Sequence, residues 1–234
     1  MSADGKTIFV ASYDFSVYAV NSEDGSMLWS YPMGSYAYVS PAISPDGSTV
    51  YAGSDDGFLY ALDALDGSLN WRFNTSGVEL ASSPAISADG TVIIGSNDHN
   101  VYALEGATGA IKWAFATGGK VASTAAVSAD GNILVTGSDG FAYCLDGDTG
   151  EKVWAFRTGP SGGWTSMTIA GGDNTVLVGT ESDKNYLYAL DGATGDRKWR
   201  VEIGGWIYSS PSIGANGMVY VGAVDGKLYA ISPS

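Results

Sequence analysis

Cysteine, histidine and positive charge are all scarce in this sequence. Cys144 is the single cysteine in 234 residues, so no internal disulfide can form. His99 is the single histidine and lies in the turn-like stretch Ser96-Asn97-Asp98-His99-Asn100. One histidine and one cysteine in different parts of the chain do not make a zinc site. Lys and Arg number 11 against 25 Asp and Glu, a formal net charge of −14. A surface of that sign repels phosphate, so neither nucleic acid nor an anionic membrane is expected as a partner. No apolar run approaches the ~20 residues of a membrane-spanning helix. The opening Met1-Ser2-Ala3-Asp4-Gly5 lacks the charged and apolar regions of a secretory leader, so none is expected. Patterns for a nucleophile elbow are missing, and Gly118-Gly119-Lys120 departs from the spacing of a phosphate-binding loop.

Glycine and aromatic residues are abundant. The 33 glycines show no collagen-like period and therefore point to many tight turns. Much of the acidity falls in Asp-Gly pairs, where the carboxylate can bond its own backbone. With 45% hydrophobic and 15% charged residues, the composition is that of a globular chain.

One unit recurs along the whole length. A Tyr in a "YAL"-type element occurs at Tyr18, Tyr60, Tyr102, Tyr143, Tyr188 and Tyr229, at spacings of 42, 42, 41, 45 and 41. A Trp follows at Trp29, Trp71, Trp113, Trp154 and Trp199 in the same register. Each unit holds four short runs rich in Val, Ile, Tyr and Trp, bounded by turn residues. In the third unit, strand A is expected near Ser83–Ser87, strand B near Thr91–Ser96, strand C near Asn100–Glu105 and strand D near Ile111–Phe115. Four strands in a unit of this length are the signature of a propeller blade. Stacked blades cover each other's apolar faces, which an isolated four-stranded sheet cannot do.

The expected fold is therefore an all-β propeller of six repeats of four-stranded antiparallel blades. It forms a single domain over 1–234, with repeats near 1–38, 39–81, 82–122, 123–163, 164–207 and 208–234. Ser2-Ala3-Asp4-Gly5 matches Ser87-Ala88-Asp89-Gly90, so the first repeat should lack strand A. The last repeat breaks off at Ser232-Pro233-Ser234, before a strand D. The expected count is 22 strands, against 24 for six complete blades. Two arrangements fit: a six-bladed ring with three-stranded end blades, or a piece of a larger propeller.

The turn between strands C and D carries a recognisable motif. Ala189, Asp191, Thr194, Gly195 and Trp199 give its full form, Ala-x-Asp-x-x-Thr-Gly-x-x-x-Trp. Variants run through Ala103, Glu105, Thr108, Gly109 and Trp113, and through Cys144, Asp146, Thr149, Gly150 and Trp154. Ala61, Asp63, Asp66, Gly67 and Trp71 form another, and Ala19, Asn21, Asp24, Gly25 and Trp29 the most degenerate. In this register Cys144 occupies a slot that is otherwise Ala, and so reads as a small buried strand residue rather than a reactive thiol.

The motif resembles the tryptophan-docking motif of the pyrroloquinoline-quinone-like (quinoprotein-type) β-propeller repeat. That resemblance implies that Trp29, Trp71, Trp113, Trp154 and Trp199 stack on neighbouring blades as structural glue. Burying a Trp removes ~150–250 Å² from water, several kcal/mol per seam at ~25 cal/mol/Å² before entropy is subtracted. Dehydrogenases of this family resemble one another in a calcium-assisted quinone pocket with a vicinal Cys-Cys disulfide. A chain with one cysteine lacks that element, so no cofactor, no metal and no catalytic residue is expected. Carboxylate pairs such as Asp55-Asp56 fall in turns and read as solvated. Similar propellers also include the non-catalytic periplasmic scaffold of the outer-membrane assembly machinery. By that resemblance the setting is extracytoplasmic, periplasmic or cell-surface, and the partner a protein or peptide.

A binding face is suggested by the loops. In a propeller the D–A and B–C loops share one face. The segments before strand A bring Tyr36, Tyr38, Glu79, Lys120, Trp164, Trp206 and Tyr208 there, and the B–C loops add Tyr13 and Phe15. Aromatic side chains gathered on one face are typical of recognition surfaces. Tyr36, Tyr38, Trp164, Trp206 and Tyr208 are the expected binding residues. A glycan or another small ligand is the alternative occupant; the competing readings are that some of these rings pack into the channel wall or a blade seam, and that the chain is a fragment of a quinone-dependent dehydrogenase.

Overall fold

The computed structural model describes residues 1–76, 78–159, 164–170, 174–181 and 184–232. All regular structure among them is β, in 22 strands arranged as six antiparallel sheets. Pro233 and Ser234, at the end of the last repeat, lie outside the described residues.

The first sheet comprises β1 (Thr7–Ala11), β2 (Ser16–Asn21) and β3 (Met27–Pro32). The second is β4 (Ala42–Ile43), β5 (Thr49–Gly53), β6 (Phe58–Asp63) and β7 (Leu69–Asn74). The third is β8 (Ala85–Ile86), β9 (Val92–Gly95), β10 (Asn100–Leu104) and β11 (Ile111–Ala116). The fourth is β12 (Ala126–Val127), β13 (Ile133–Gly137), β14 (Phe141–Leu145) and β15 (Lys152–Arg157). The fifth is β16 (Thr168–Ala170), β17 (Thr175–Gly179), β18 (Tyr186–Asp191) and β19 (Arg197–Glu202). The sixth is β20 (Ser212–Ile213), β21 (Val219–Gly222) and β22 (Leu228–Ile231). Strands follow chain order in every sheet, so each sheet is a meander. The first sheet lacks strand A and the sixth lacks strand D, as the repeat register implied.

Strand A is shorter than its sequence suggested. Beside β8, the Ser82 hydroxyl takes the Gly95 N–H at 3.1 Å. In the fourth sheet Ser123 takes the Thr136 N–H at 3.0 Å. A side-chain oxygen thus stands where a ladder carbonyl would be, and regular pairing ends after two residues.

The residues fall into two compact units, 1–116 and 117–234, each holding three sheets. Within the first unit, Val17, Ala19 and Trp29 of one sheet pack on Ala52, Tyr60 and Leu62 of the next. Tyr51, Leu59 and Ala61 then pack on Val92, Ile94 and Leu104. The second unit repeats the pattern. Cys144 and Trp154 meet Val176, Val178 and Leu190, and Leu187 and Ala189 meet Val219 and Val221. Cys144 is fully buried in β14, where burial pushes its thiol pKa up to about 12.

The docking tryptophans lock these seams. Trp29 Nε1 donates to the Ala64 carbonyl at 3.1 Å, Trp71 to Gly106 at 2.9 Å and Trp154 to Gly192 at 2.8 Å. Gly67, at φ 74°, lies so close to Trp29 that a β-carbon there would sit 2.6 Å from the ring. Glycine at this position supplies both the left-handed turn and the clearance. Trp113 is buried to the same degree, and Trp199 is half-buried against the sixth sheet.

Candidate functional site

A constant clip holds the B–C turns. Tyr18, Tyr60, Tyr102, Tyr143 and Tyr229 each donate their hydroxyl to the Asp four residues earlier, at 2.5–2.9 Å. The acceptors are Asp14, Asp56, Asp98, Asp139 and Asp225. Asp56 also takes the Gly34 N–H at 2.9 Å, and Asp139 the Gly118 N–H at 2.7 Å. One carboxylate therefore ties the B–C turn of a blade to the D–A loop that enters it. The spacing Asp-x-x-x-Tyr was visible in the sequence, although its role was not.

A second, backbone ladder fixes the loops above this clip. In the first unit the Tyr36 carbonyl takes the Asp55 N–H at 2.9 Å, and the Glu79 carbonyl the Asn97 N–H at 3.4 Å. In the second, Lys120 accepts from Ser138 at 2.8 Å and Trp206 from Val224 at 3.0 Å. The residue after each of these turns inward: Ala37 N–H bonds Ser12, Leu80 bonds Ser54 and Ile207 bonds Thr180. Ala37, Leu80, Val121, Thr165 and Ile207 are buried. Tyr36, Glu79, Lys120 and Trp206 thus share one slot, each held by its carbonyl to the next B–C turn, and Trp164 takes the equivalent position in the repeat register. Of their side chains, that of Glu79 adds to the anchoring, through Asn97 Nδ2.

Tyr36, Tyr38, Trp164, Trp206 and Tyr208 are all exposed, by 45–58%. Tyr36 and Tyr38 come together with Tyr13 and Phe15 in one aromatic cluster. Tyr13 lies 5.7 Å from Tyr36 and 5.3 Å from Tyr38 between ring centroids, and Phe15 meets Tyr36 edge-on at 4.8 Å. Trp206 and Tyr208 form an edge-to-face pair at 6.1 Å. Trp164 has no ring partner among the described residues; its backbone N–H donates to the Glu181 carboxylate.

The Asp55-Asp56 pair is less solvated than its turn position suggested. Asp56 is engaged by the clip, and Asp55 Oδ2 accepts the Tyr38 hydroxyl at 2.5 Å. Burial raises the Asp55 pKa, the Tyr38 bond opposes the rise, and the Glu79 and Asp56 charges add to it. Tyr38 is raised in turn, first by its bond to Asp55. Asn97 Nδ2 donates to Glu79 Oε2 at 3.2 Å. Sequence reasoning missed Asp55 and Asn97 as neighbours of the aromatic rim, because only the inter-blade ladder brings them there.

The opposite face, formed by A–B and C–D turns, carries carboxylates that are already occupied. Asp46 is held by Ser44 and Ser48, bonds that lower its pKa to about 2. Ser87, Thr91 and Lys112 lower that of Asp89. Among the described residues no group of three or more His, Cys, Asp or Glu is arranged to hold a metal ion. The single cysteine, Cys144, is buried and cannot form a vicinal disulfide.

Repeated four-stranded sheets, docking tryptophans and clipped loops define a β-propeller built from quinoprotein-type repeats. The chain belongs to the family described as outer membrane protein assembly factor BamB, whose profile matches residues 1–120, 55–180 and 138–234. Among solved structures it is similar to BamB from Moraxella catarrhalis, with 20% identity and a TM-score of 0.75 over 100% of this chain and 75% of that one. The computationally designed Ika8 protein matches with 15% identity and a TM-score of 0.82, over 97% of this chain and 68% of its own. Quinohemoprotein alcohol dehydrogenase ADHIIG from Pseudomonas putida HK5 matches with 18% identity and a TM-score of 0.78, over 94% of this chain and 49% of that one. A curated relative, Protein Rv3035 of Mycobacterium tuberculosis, is 42% identical over 45 residues, 19% of this chain and 11% of the relative.

Proposed function

We propose that this chain is a non-catalytic recognition module that binds a protein or peptide partner on its D–A/B–C face, in an extracytoplasmic setting. The observation that carries this reading is the shared slot at Tyr36, Glu79, Lys120, Trp164 and Trp206. Backbone bonds and the carboxylate clips fix these loops, which leaves Tyr36, Lys120 and Trp206 free to face outward. Rigid loops with exposed aromatic side chains suit recognition, because little conformational entropy is lost on binding. Membership in the assembly-factor family supports a scaffold role. The lack of a cysteine pair in these 234 residues supports a non-catalytic one.

Peptide-library selection and a glycan array, each run on the wild-type chain and on Trp206→Ala and Tyr36→Ala, test the reading. Selected peptides should lose affinity in at least one variant. Saturable glycan binding without peptide binding would make the face a sugar receptor. Turnover of an alcohol above a boiled control, in a dye-linked assay with the quinone and calcium, would overturn the non-catalytic reading.

A further inference from the structure

The aromatic cluster of the first unit sits beside acceptors that lack donors. Asp55 Oδ1 and Asn97 Oδ1 are both buried without a hydrogen-bond partner. Asn97 is only 8% exposed, and its Nδ2 is committed to Glu79, so its oxygen is the orphan. Buried acceptors without protein donors leave this corner of the face strongly negative, which attracts a positively charged group to the exposed rim beside them. Glu79 lies near enough to Asp55 and Tyr38 to raise the pKa of both. The rings of Tyr13, Tyr36 and Tyr38 stand next to this negative charge, and Tyr13 is 66% exposed. Aromatic faces elsewhere in the chain already take cations: Arg72 lies 4.6 Å over Phe58 and Arg200 4.3 Å over Tyr186.

We propose that Tyr13, Tyr36 and Tyr38, with Asp55, Glu79 and Asn97, form a site for a cationic side chain, a Lys ammonium or Arg guanidinium, on a basic peptide segment of the partner. The proposal rests on the D–A/B–C face being a recognition surface and specifies its chemistry. Ammonium and guanidinium groups are donors only, which is what this acceptor-rich site requires. Their charge is drawn to the carboxylates and to the ring faces together. A net charge of −14 favours the approach of a basic segment.

Titration calorimetry with a (Gly-Arg)3 amide, its Lys counterpart and its neutral citrulline counterpart tests the site. The Arg or Lys peptide should bind, and the citrulline peptide should bind about tenfold or more weakly. Asp55→Asn and Tyr13→Ala should each weaken binding of the cationic peptide by about tenfold, a loss of the size one charge or ring contact gives. Asp130→Asn, which removes a carboxylate from an A–B turn, should leave binding unchanged. Tyr13 is exposed, so its variant stays informative even if Asp55→Asn unfolds. Equal binding of the citrulline peptide, or equal losses in Asp130→Asn and Asp55→Asn, would overturn the cation site. So would unchanged binding in Tyr13→Ala, or no binding of any of the three peptides. If library-selected peptides still depend on Trp206 or Tyr36, the recognition face stands and only its cation chemistry falls; if they do not, both fall.

Discussion

The indole of Trp71 lies directly over Gly109, so close that a β-carbon on Gly109 would sit 2.5 Å from the ring. The same indole donates to the Gly106 carbonyl three residues earlier. One side chain from one blade thus reads the turn of the next, both by shape and by hydrogen bond. That contact converts a sequence repeat into a stack of sheets.

Trp71→Ala should therefore destabilise the chain by up to ~3 kcal/mol, the lower end of the range for a large buried aromatic, because Trp71 is half-buried. Gly109→Ala should cost ~1–3 kcal/mol, since φ 72° is strained for any residue with a side chain and the ring must also move. Urea melts of both variants check this. A midpoint shift within error of zero for Trp71→Ala would show that the seam does not depend on the docking contact.

The Tyr–Asp clips make stability sensitive to alkali. Burial first, and the bond to the neighbouring carboxylate second, push the pKa values of Tyr60 and Tyr102 up to about 12. A native pKa raised above the ordinary value near 10 means that the folded state holds the phenolic proton more tightly. The resulting stability is fully present below about pH 10 and is lost as the pH rises from there to about 12. Thermal midpoints measured across that window should fall, while phenolate absorbance shows these two tyrosines titrating late. Tyr102→Phe should cost ~0.5–1.5 kcal/mol at neutral pH. Full ionisation of every tyrosine near pH 10 with no loss of fold would contradict the clip.

The first strand offers a third test. The Lys6 carbonyl bonds Ser22 on the β2 side, whereas the Thr7 N–H turns away to the Ser2 hydroxyl. By strand alternation the Phe9 N–H points away from β2, where the first sheet has no further strand. Its counterpart Ile93 faces β8, paired with Ala85. Hydrogen exchange should be faster at Phe9 than at Ile93. Equal protection would mean that another strand pairs with β1.

Much of this architecture could be read from residue spacing. Tyr60 and Trp71 recur in a fixed register because each blade offers the same two slots, and the strand count followed from aligning Ser2 with Ser87. Other features were hidden for physical reasons. Strand A looked longer because Ser82 and Ser123 replace ladder carbonyls with hydroxyls, a choice that propensity does not reveal. The loop positions of Tyr36 and Trp206 followed from register, whereas their exposure did not, because a loop ring can equally pack against a neighbouring blade. Nor did the pairing of Tyr38 with Asp55 and of Glu79 with Asn97, since each joins a loop to the B–C turn of a blade, over 17 and 18 residues of sequence.

The most direct test of the recognition face is a pair of measurements on Trp206→Ala. Its loop is held by the Trp206 carbonyl and the Ile207 N–H, neither of which needs the indole. The thermal midpoint should therefore stay close to wild type. Affinity for a library-selected peptide should fall by ~2 kcal/mol or more, the scale of a hot-spot aromatic. An affinity unchanged both in this variant and in Tyr36→Ala, or a large drop in thermal midpoint that makes Trp206 a core residue, would contradict the assignment of this face to binding.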